Sequence, residues 1–235
     1  MKVIATSDLH GYLPEIKEEF DLMLICGDIC PVENHNIHFQ EEWLNNEFAS
    51  WLRMLPYKDM MSRIVCIAGN HDLFFERVEK LKIEEFKKSC GKQFVYLKNE
   101  EYDFEYITDR GIDIIKIFGT PYCKIFGNWA FMREDLQKYY DKIPDDVDIL
   151  ISHDAADINE LGVIHEGWSA VVNAGNKVLA EYVKKIKPKY YFCGHIHSGK
   201  HDFEEVDGIK CANVSLMNER YIPVNKILSF EYYGQ

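Results

Sequence analysis

Five apolar stretches of this chain stop at residues able to bind a metal ion or to move a proton. Lys2 to Thr6 empties into Ser7-Asp8-Leu9-His10, Asp21 to Cys26 into Gly27-Asp28, and Arg63 to Ala68 into Gly69-Asn70-His71-Asp72. Val147 to Ile151 is followed by Ser152-His153-Asp154, and Tyr190 to Cys193 by Gly194-His195-Ile196-His197. Imidazole and carboxylate without thiolate suit borderline divalent ions such as Mn, Fe, Zn or Ni better than calcium or a structural zinc. Seven candidate ligands, Asp8, His10, Asp28, Asn70, His153, His195 and His197, are more than one ion needs. A carboxylate such as Asp28 can bridge two ions about 3.5 to 4 Å apart, an arrangement used for in-line displacement at phosphorus. Taken singly, Gly27-Asp28 and Gly69-Asn70-His71-Asp72 read as well as polar turns with Asp28 or Asp72 as a helix cap. Five strand exits that all carry carboxylate or imidazole are hard to produce by capping, so they are expected to converge on one site.

Convergence requires that the apolar stretches be strands sharing one rim. Arg63 to Ala68 is short, nearly all apolar and rich in β-branched residues, as in a strand buried on both faces. In open α/β sheets the exits of such strands are where ligands sit. Asp8 and His10, alternating at the end of a strand, are expected to point to the same side. Between the strands, Pro31 to Asn46 is polar and reads as an exposed crossing segment, with His35 and His38 as surface residues. Phe48, Trp51, Leu52 and Leu55 keep helical spacing over Glu47 to Leu55. A charged helix is expected from about Phe74 to Lys88, and another, ended by Pro188, over Asn173 to Lys187. Phe94 to Leu97, Tyr102 to Ile107 and Ile112 to Phe118 read as an antiparallel meander, with a short helix around Glu134 to Lys142 and a loop over Asp157 to Val172. Two strands close the chain, near Ile209 to Ser215 and Lys226 to Tyr232, with a hairpin turn at Gly208. The aromatic loop after Gly119-Thr120-Pro121 offers Tyr122 and Trp129 as walls of a substrate pocket.

Composition narrows the function classes. A chain of 235 residues with 47% hydrophobic content can bury a large core, and residues 1–235 read as a single domain. The formal net charge of -12 argues against binding long nucleic acid or a membrane surface, although a local cationic site could override it. Seven cysteines, mostly inside apolar runs, read as buried thiols of a reducing compartment. Cys26 and Cys30 lack a second pair to complete a zinc site. Without a secretory leader or a membrane-spanning run in the sequence, a cytoplasmic protein is expected.

The ordered set Asp8-x-His10, Gly27-Asp28, Gly69-Asn70-His71-Asp72, His153 and Gly194-His195-x-His197 resembles the calcineurin-like metallophosphoesterases. The tract from Gly119-Thr120-Pro121-Tyr122 to Asn128-Trp129-Ala130-Phe131 is further similar to the group named for its metallophosphoesterase domain, akin to class III cyclic-nucleotide phosphodiesterases. The resemblance implies an α/β fold, a two-sheet β-sandwich flanked by helices. It implies that Asp8, His10 and His197 hold one ion, that Asn70, His153 and His195 hold the other, and that Asp28 bridges them. It also implies that His71 stands beside the ions as the acid at the leaving oxygen, with Asp72 orienting it. A metal-dependent phosphoesterase, acting on diesters of a small molecule such as a nucleotide, is therefore expected. Asp154 departs from the family pattern and could support or perturb the neighbouring ion.

Other classes are disfavoured by particular residues. A Ser/Thr protein phosphatase would carry Gly-Asp-x-Val-Asp-Arg-Gly and Gly-Asn-His-Glu, whereas this chain has Gly27-Asp28-Ile29-Cys30-Pro31 and ends its motif in Asp72. A nuclease on long DNA would be helped by a basic groove, which the charge does not support. A phosphomonoesterase, or a weakly active binding module on the same fold, remains as the alternative, the second set against the fact that all seven ligand positions are filled.

Overall fold

A computed structural model of the chain describes residues 1–166 and 170–233. The first sheet has the order β13 (Leu228–Glu231), β1 (Lys2–Thr6), β2 (Leu22–Cys26), β3 (Arg63–Ile67) and β4 (Phe94–Tyr96). The second runs β11 (Glu204–Val206), β12 (Ile209–Asn213), β10 (Tyr190–Cys193), β7 (Ile149–Ser152), β6 (Gly111–Thr120) and β5 (Glu100–Thr108). β1 to β4 are mutually parallel, as are β6, β7, β10 and β12, while the edge strands β13, β11 and β5 run antiparallel to their neighbours.

The strands alternate between two apolar environments because successive side chains point to opposite faces. Val3, Ala5, Leu22, Leu24, Val65 and Ile67 of the first sheet meet Ile115, Ile117, Ile149, Ile151 and Phe192 of the second in the layer between them. The intervening Ile4, Met23, Ile25, Ile64 and Cys66 face outward into a core shared with Leu44, Phe48, Leu52 and Phe86, which lie on helices. Leu150, Tyr191 and Cys193 of the second sheet likewise face a helix layer containing Tyr140, Leu179 and Val183. The fold is thus the expected sandwich of two sheets with helices outside each.

Helices α1 (Ile37–Trp43), α2 (Ala49–Arg53), α3 (Leu73–Arg77), α4 (Lys80–Cys90), α5 (Gln137–Tyr140) and α6 (Lys177–Ile186) complete the layers. The polar stretch before residue 47 is not a crossing loop. Asn36 caps α1 by accepting hydrogen bonds from the His38 and Phe39 amides, and a π-helical turn over Leu44–Phe48 joins it to α2. That cap starts a helix whose apolar side is sparse, so apolar spacing alone placed its beginning ten residues late, at Glu47 instead of Ile37. The charged helix after His71 is interrupted at Val78, whose extended backbone separates α3 from α4.

Three further elements differ from expectation. The supposed meander divides between the sheets: β4 pairs with β3 in parallel, and only β5 and β6 form a hairpin. Part of the segment expected as a loop before α6 is a second hairpin, β8 (Val163–Glu166) with β9 (Ala170–Asn173); residues 167–169 lie outside the described ones. β11, whose residues are mostly charged, pairs with β12 across the turn at Gly208. Among the described residues no helix is long and apolar enough to cross a membrane.

Phe192 ties the sheets together, its ring 5.7 Å from that of Phe230 on β13 and fully buried. Phe192→Ala should destabilise the protein by about 3–5 kcal/mol. Urea unfolding should then show a lower midpoint at unchanged slope.

Candidate functional site

Because β1, β2 and β3 are parallel and adjacent, their exits lie side by side, and so do those of β7 and β10 in the second sheet. The two rims meet: Ser7 bridges to Ser215, and the Asp8 carboxylate accepts hydrogen bonds from the His195 amide at 3.0 and 3.1 Å and from Ser215 Oγ at 2.7 Å. All seven proposed ligands stand at this seam. Asp8, His10 and His197 place one ligand atom each within 4.8 Å of the others, and Asp28, His153 and His195 form a second such group. Asn70 Oδ1 lies 2.8 Å from His153 Nε2, which adds it to the second group.

Asp28 stands between the groups. Its Oδ2 is 3.8 Å from His10 Nε2 in one and 3.4 Å from His153 Nε2 in the other, while its Oδ1 accepts from the His71 amide at 2.7 Å. One oxygen is therefore tied to the protein and the other faces both clusters.

The route by which these side chains converge is not the strand alternation read from the sequence. Asp8, His10, Asp28 and His195 have φ of 54°, 45°, 52° and 68°, so the chain turns sharply through the left-handed region at each exit. Two glycines let the turns close. A Cβ on Gly69 would lie 2.2 Å from Asp28 Oδ1, and one on Gly194 would lie 2.4 Å from Asp8 Oδ2.

The electrostatics are those of a cation site. Burial alone would raise the Asp8 and Asp28 carboxyls, but His197 holds Asp8 low and His153 with His71 holds Asp28 low. Against the lowering effect of burial, the carboxylates raise His153 to about 10 and His197 to about 9. Burial, with His153 adding to it, lowers His195 to about 3, and burial lowers His10 to about 4. Asn70 Nδ2 is buried without a hydrogen-bond partner. His10 and His197 turn their Nε2 atoms toward each other at 3.2 Å. Carboxylate and imidazole donors crowded in this way, with close approach enforced by glycine, fit a pair of divalent ions.

Other expected residues have different surroundings. Asp72 does not reach the His71 ring: its carboxylate accepts from the Ile29, Cys30 and Gly69 amides at 2.8–3.1 Å. Burial and then the Asp28 charge raise it to about 6 against those three donors. Asp72 is a brace between the β2 and β3 exits. Its place beside His71 is taken by His35, whose Nε2 is 2.9 Å from His71 Nδ1, so His35 is no bystander on the surface. Tyr122 is not a pocket wall either. It is 9% exposed and stacks on Tyr139 with ring centroids 3.7 Å apart, inside the core. Trp129 does reach the site, 4.5 Å from His71 and 4.9 Å from His35 by ring centroids. Asp154 points away from the ligands, accepting from the Lys124 amide and Asn176 Nδ2 at 3.1 and 2.8 Å.

Tyr221 and Phe126 had no signal in the sequence beyond being aromatic residues in loops. The Tyr221 ring meets those of His10 and His197 at 4.9 and 5.5 Å, and Phe126 meets His195 at 5.0 Å. Both are open to solvent, 44% and 55% exposed, so a ligand can touch them. A tight turn at Asn218 holds Tyr221 with φ of 57° and also supplies the carbonyl 2.9 Å from His197 Nδ1.

The model of the calcineurin-like phosphoesterases matches residues 1–199, and the chain belongs to that family. Two UPF0046 proteins of Caenorhabditis elegans are 27% and 29% identical over 84% and 76% of this chain. The matches span 63% and 46% of those two relatives, so the chain covers about half to two thirds of their length. Among solved structures, TT1561 of Thermus thermophilus matches with a TM-score of 0.53 at 11% identity, over 90% of this chain and 88% of that one. Phosphopantetheinyl hydrolase of Mycobacterium tuberculosis matches with a TM-score of 0.52 at 13% identity, over 94% and 90%. At such identities these likenesses show a shared fold.

Two outcomes follow from the geometry. Asp72→Ala strands three buried amides, each charge-assisted bond contributing roughly 1.5–3 kcal/mol, and should lower the unfolding free energy by several kcal/mol. Loading divalent ions into chelator-treated protein near pH 7 must displace protons from His153 and His197, raised to about 10 and 9. Apparent metal affinity should therefore rise as pH rises above 7, and calorimetry in buffers of different ionisation heat should record proton release.

Proposed function

We propose that the protein is a phosphodiesterase of small molecules working with two divalent ions. The observation that carries this is the placement of Asp28 Oδ2 between the Asp8–His10–His197 group and the His153–His195–Asn70 group. Asp8, His10 and His197 would hold one ion, Asn70, His153 and His195 the other, and Asp28 both. When bound, such ions supply Lewis-acid activation of water and stabilise charge on the phosphoryl oxygens.

The rest is done by the chain. Among the described residues no lysine or arginine ion-pairs with the seven ligands, whose carboxylates are Asp8 and Asp28. Two dipositive ions against two carboxylates leave about two positive charges. That balances a hydroxide plus a diester monoanion better than a hydroxide plus a monoester dianion. His71, with its amide anchored on Asp28 and its carbonyl on Gln40 Nε2 at 2.8 Å, stands where it can protonate a leaving oxygen. Trp129, Tyr221 and Phe126 surround the site with aromatic faces suited to a planar leaving group, such as a nucleoside.

Turnover of bis-p-nitrophenyl phosphate with Mn present, its loss on chelation, and slower turnover of p-nitrophenyl phosphate are the expected results. Equal or faster monoester turnover would make the protein a monoesterase, and no metal-dependent turnover of either would leave a binding module. For a diester with a poor, alkoxide-type leaving group, His71→Ala should cut turnover about 10²–10⁴-fold with metal content intact, and the loss should be far smaller for p-nitrophenolate. Asp28→Ala should abolish both activity and paired metal binding, as read by metal analysis of the purified protein.

A further inference from the structure

His71 has its backbone fixed twice, but a proton donor must also be fixed at its ring. Asp72 spends its carboxylate on the Ile29, Cys30 and Gly69 amides and makes no hydrogen bond to that ring. The ring partner is His35, on the loop that leads into α1, and we propose that His35 is the positioning residue that sets the tautomer and orientation of His71. The proposal rests on the phosphoesterase reading only for the step that His71 performs; the pairing itself is a property of the chain.

The geometry is specific. His35 Nε2 and His71 Nδ1 are 2.9 Å apart and must share one hydrogen. With Nδ1 engaged, Nε2 is the His71 nitrogen left for a substrate, and it makes no hydrogen bond among the described residues. For His71 to give up a proton from Nε2 and end neutral, the Nδ1 hydrogen must stay on His71 and His35 must accept it through an unprotonated Nε2. Burial and the neighbouring His71 ring lower the His35 imidazole, which agrees with an acceptor. As the oxygen of a hydroxide bonds to phosphorus and the P–O bond to the leaving group breaks, the electron pair of the broken bond goes to the leaving oxygen. That oxygen takes the Nε2 proton, and His71 is left in the Nδ1–H form already bonded to His35.

His35 is itself held. It lies between Asn34, whose side chain accepts from the Asn36 amide at 2.9 Å, and Asn36, whose side chain caps α1. One turn further on, Gln40 of the same helix donates to the His71 carbonyl and accepts from the Phe74 amide at 2.8 and 2.9 Å. Trp129 packs across both imidazoles, 4.9 Å from His35 and 4.5 Å from His71. The start of α1 thus grips His71 by its backbone and by its ring, with the indole closing the third side.

Two measurements on the full-length protein test this. Long-range ¹H–¹⁵N spectra of the zinc-loaded protein, taken along a pH series up to the neutral form of the His71 ring, should show that form with its hydrogen on Nδ1, and in His35→Ala the hydrogen should redistribute between the two nitrogens. Kinetics on aryl phosphodiesters of graded leaving-group pKa should show His35→Ala losing about 10- to 100-fold in kcat for the poorest leaving groups. It should lose little for p-nitrophenolate, with KM and metal content near wild type. His35→Gln, which keeps an acceptor at similar reach, should recover most of the loss. In the His71→Ala background, His35→Ala should cost nothing further. An equal loss for every ester, an additive loss in that background, or unchanged His71 nitrogen signals would each overturn the proposal. If the wild type hydrolyses none of the esters, the phosphoesterase reading fails, and the spectra still decide whether His35 sets the His71 tautomer.

Discussion

Two carboxylates, Asp8 and Asp28, are buried at the seam of two sheets, and among the described residues neither ion-pairs with a lysine or arginine. Charges so placed are costly unless something compensates them. Here the compensation comes from imidazoles, from the His195 and His71 amides and from Ser215. Nearly everything distinctive in the neighbourhood serves that constraint. Glycines 69 and 194 let the oxygens approach the crossing backbone, and the left-handed turns at Asp8, Asp28 and His195 swing the ligands inward. A site built in this way is unsatisfied by protein alone and suited to dipositive charge.

Strained turns of this kind persist only where surrounding structure over-determines them. The inter-sheet layer and the Asp72 brace provide that support. Asp72 joins the amides of Ile29, Cys30 and Gly69, so the β2 and β3 exits move as one unit. The π-helical turn and the α1 cap play a similar part on the other side, since they fix the depth at which Gln40 and His35 meet His71. Rigidity on both sides of His71 matters because a proton donor misplaced by an ångström loses much of its effect.

Much of the frame was legible. β1, β2, β3, β7 and β10 are short apolar runs bounded by polar residues, and each lies where hydrophobic patterning put it. Elements with weak apolar signal are the ones patterning misses, since α1 depends on the Asn36 cap and β11 on pairing with β12; β4 is apolar enough to show as a strand, but its parallel pairing with β3 instead of β5 is not a local property. Asp8 and His10 were expected to converge through strand alternation, yet they converge through turns with positive φ, which residue type alone does not reveal.

The sequence by itself determined which chemical groups the site holds and that they sit at strand exits, because buried strands and metal-ligand types are local properties of composition and order. It also carried the family, since the motifs occur in a fixed succession. Only the tertiary structure decided which nitrogen faces which oxygen. His35 replaces Asp72 beside His71, Tyr122 retreats into the core, and Tyr221 arrives from the far end of the chain. Those outcomes depend on contacts between residues 17 to more than 200 positions apart, and no local pattern encodes a distance between two side chains that meet only after the chain has packed.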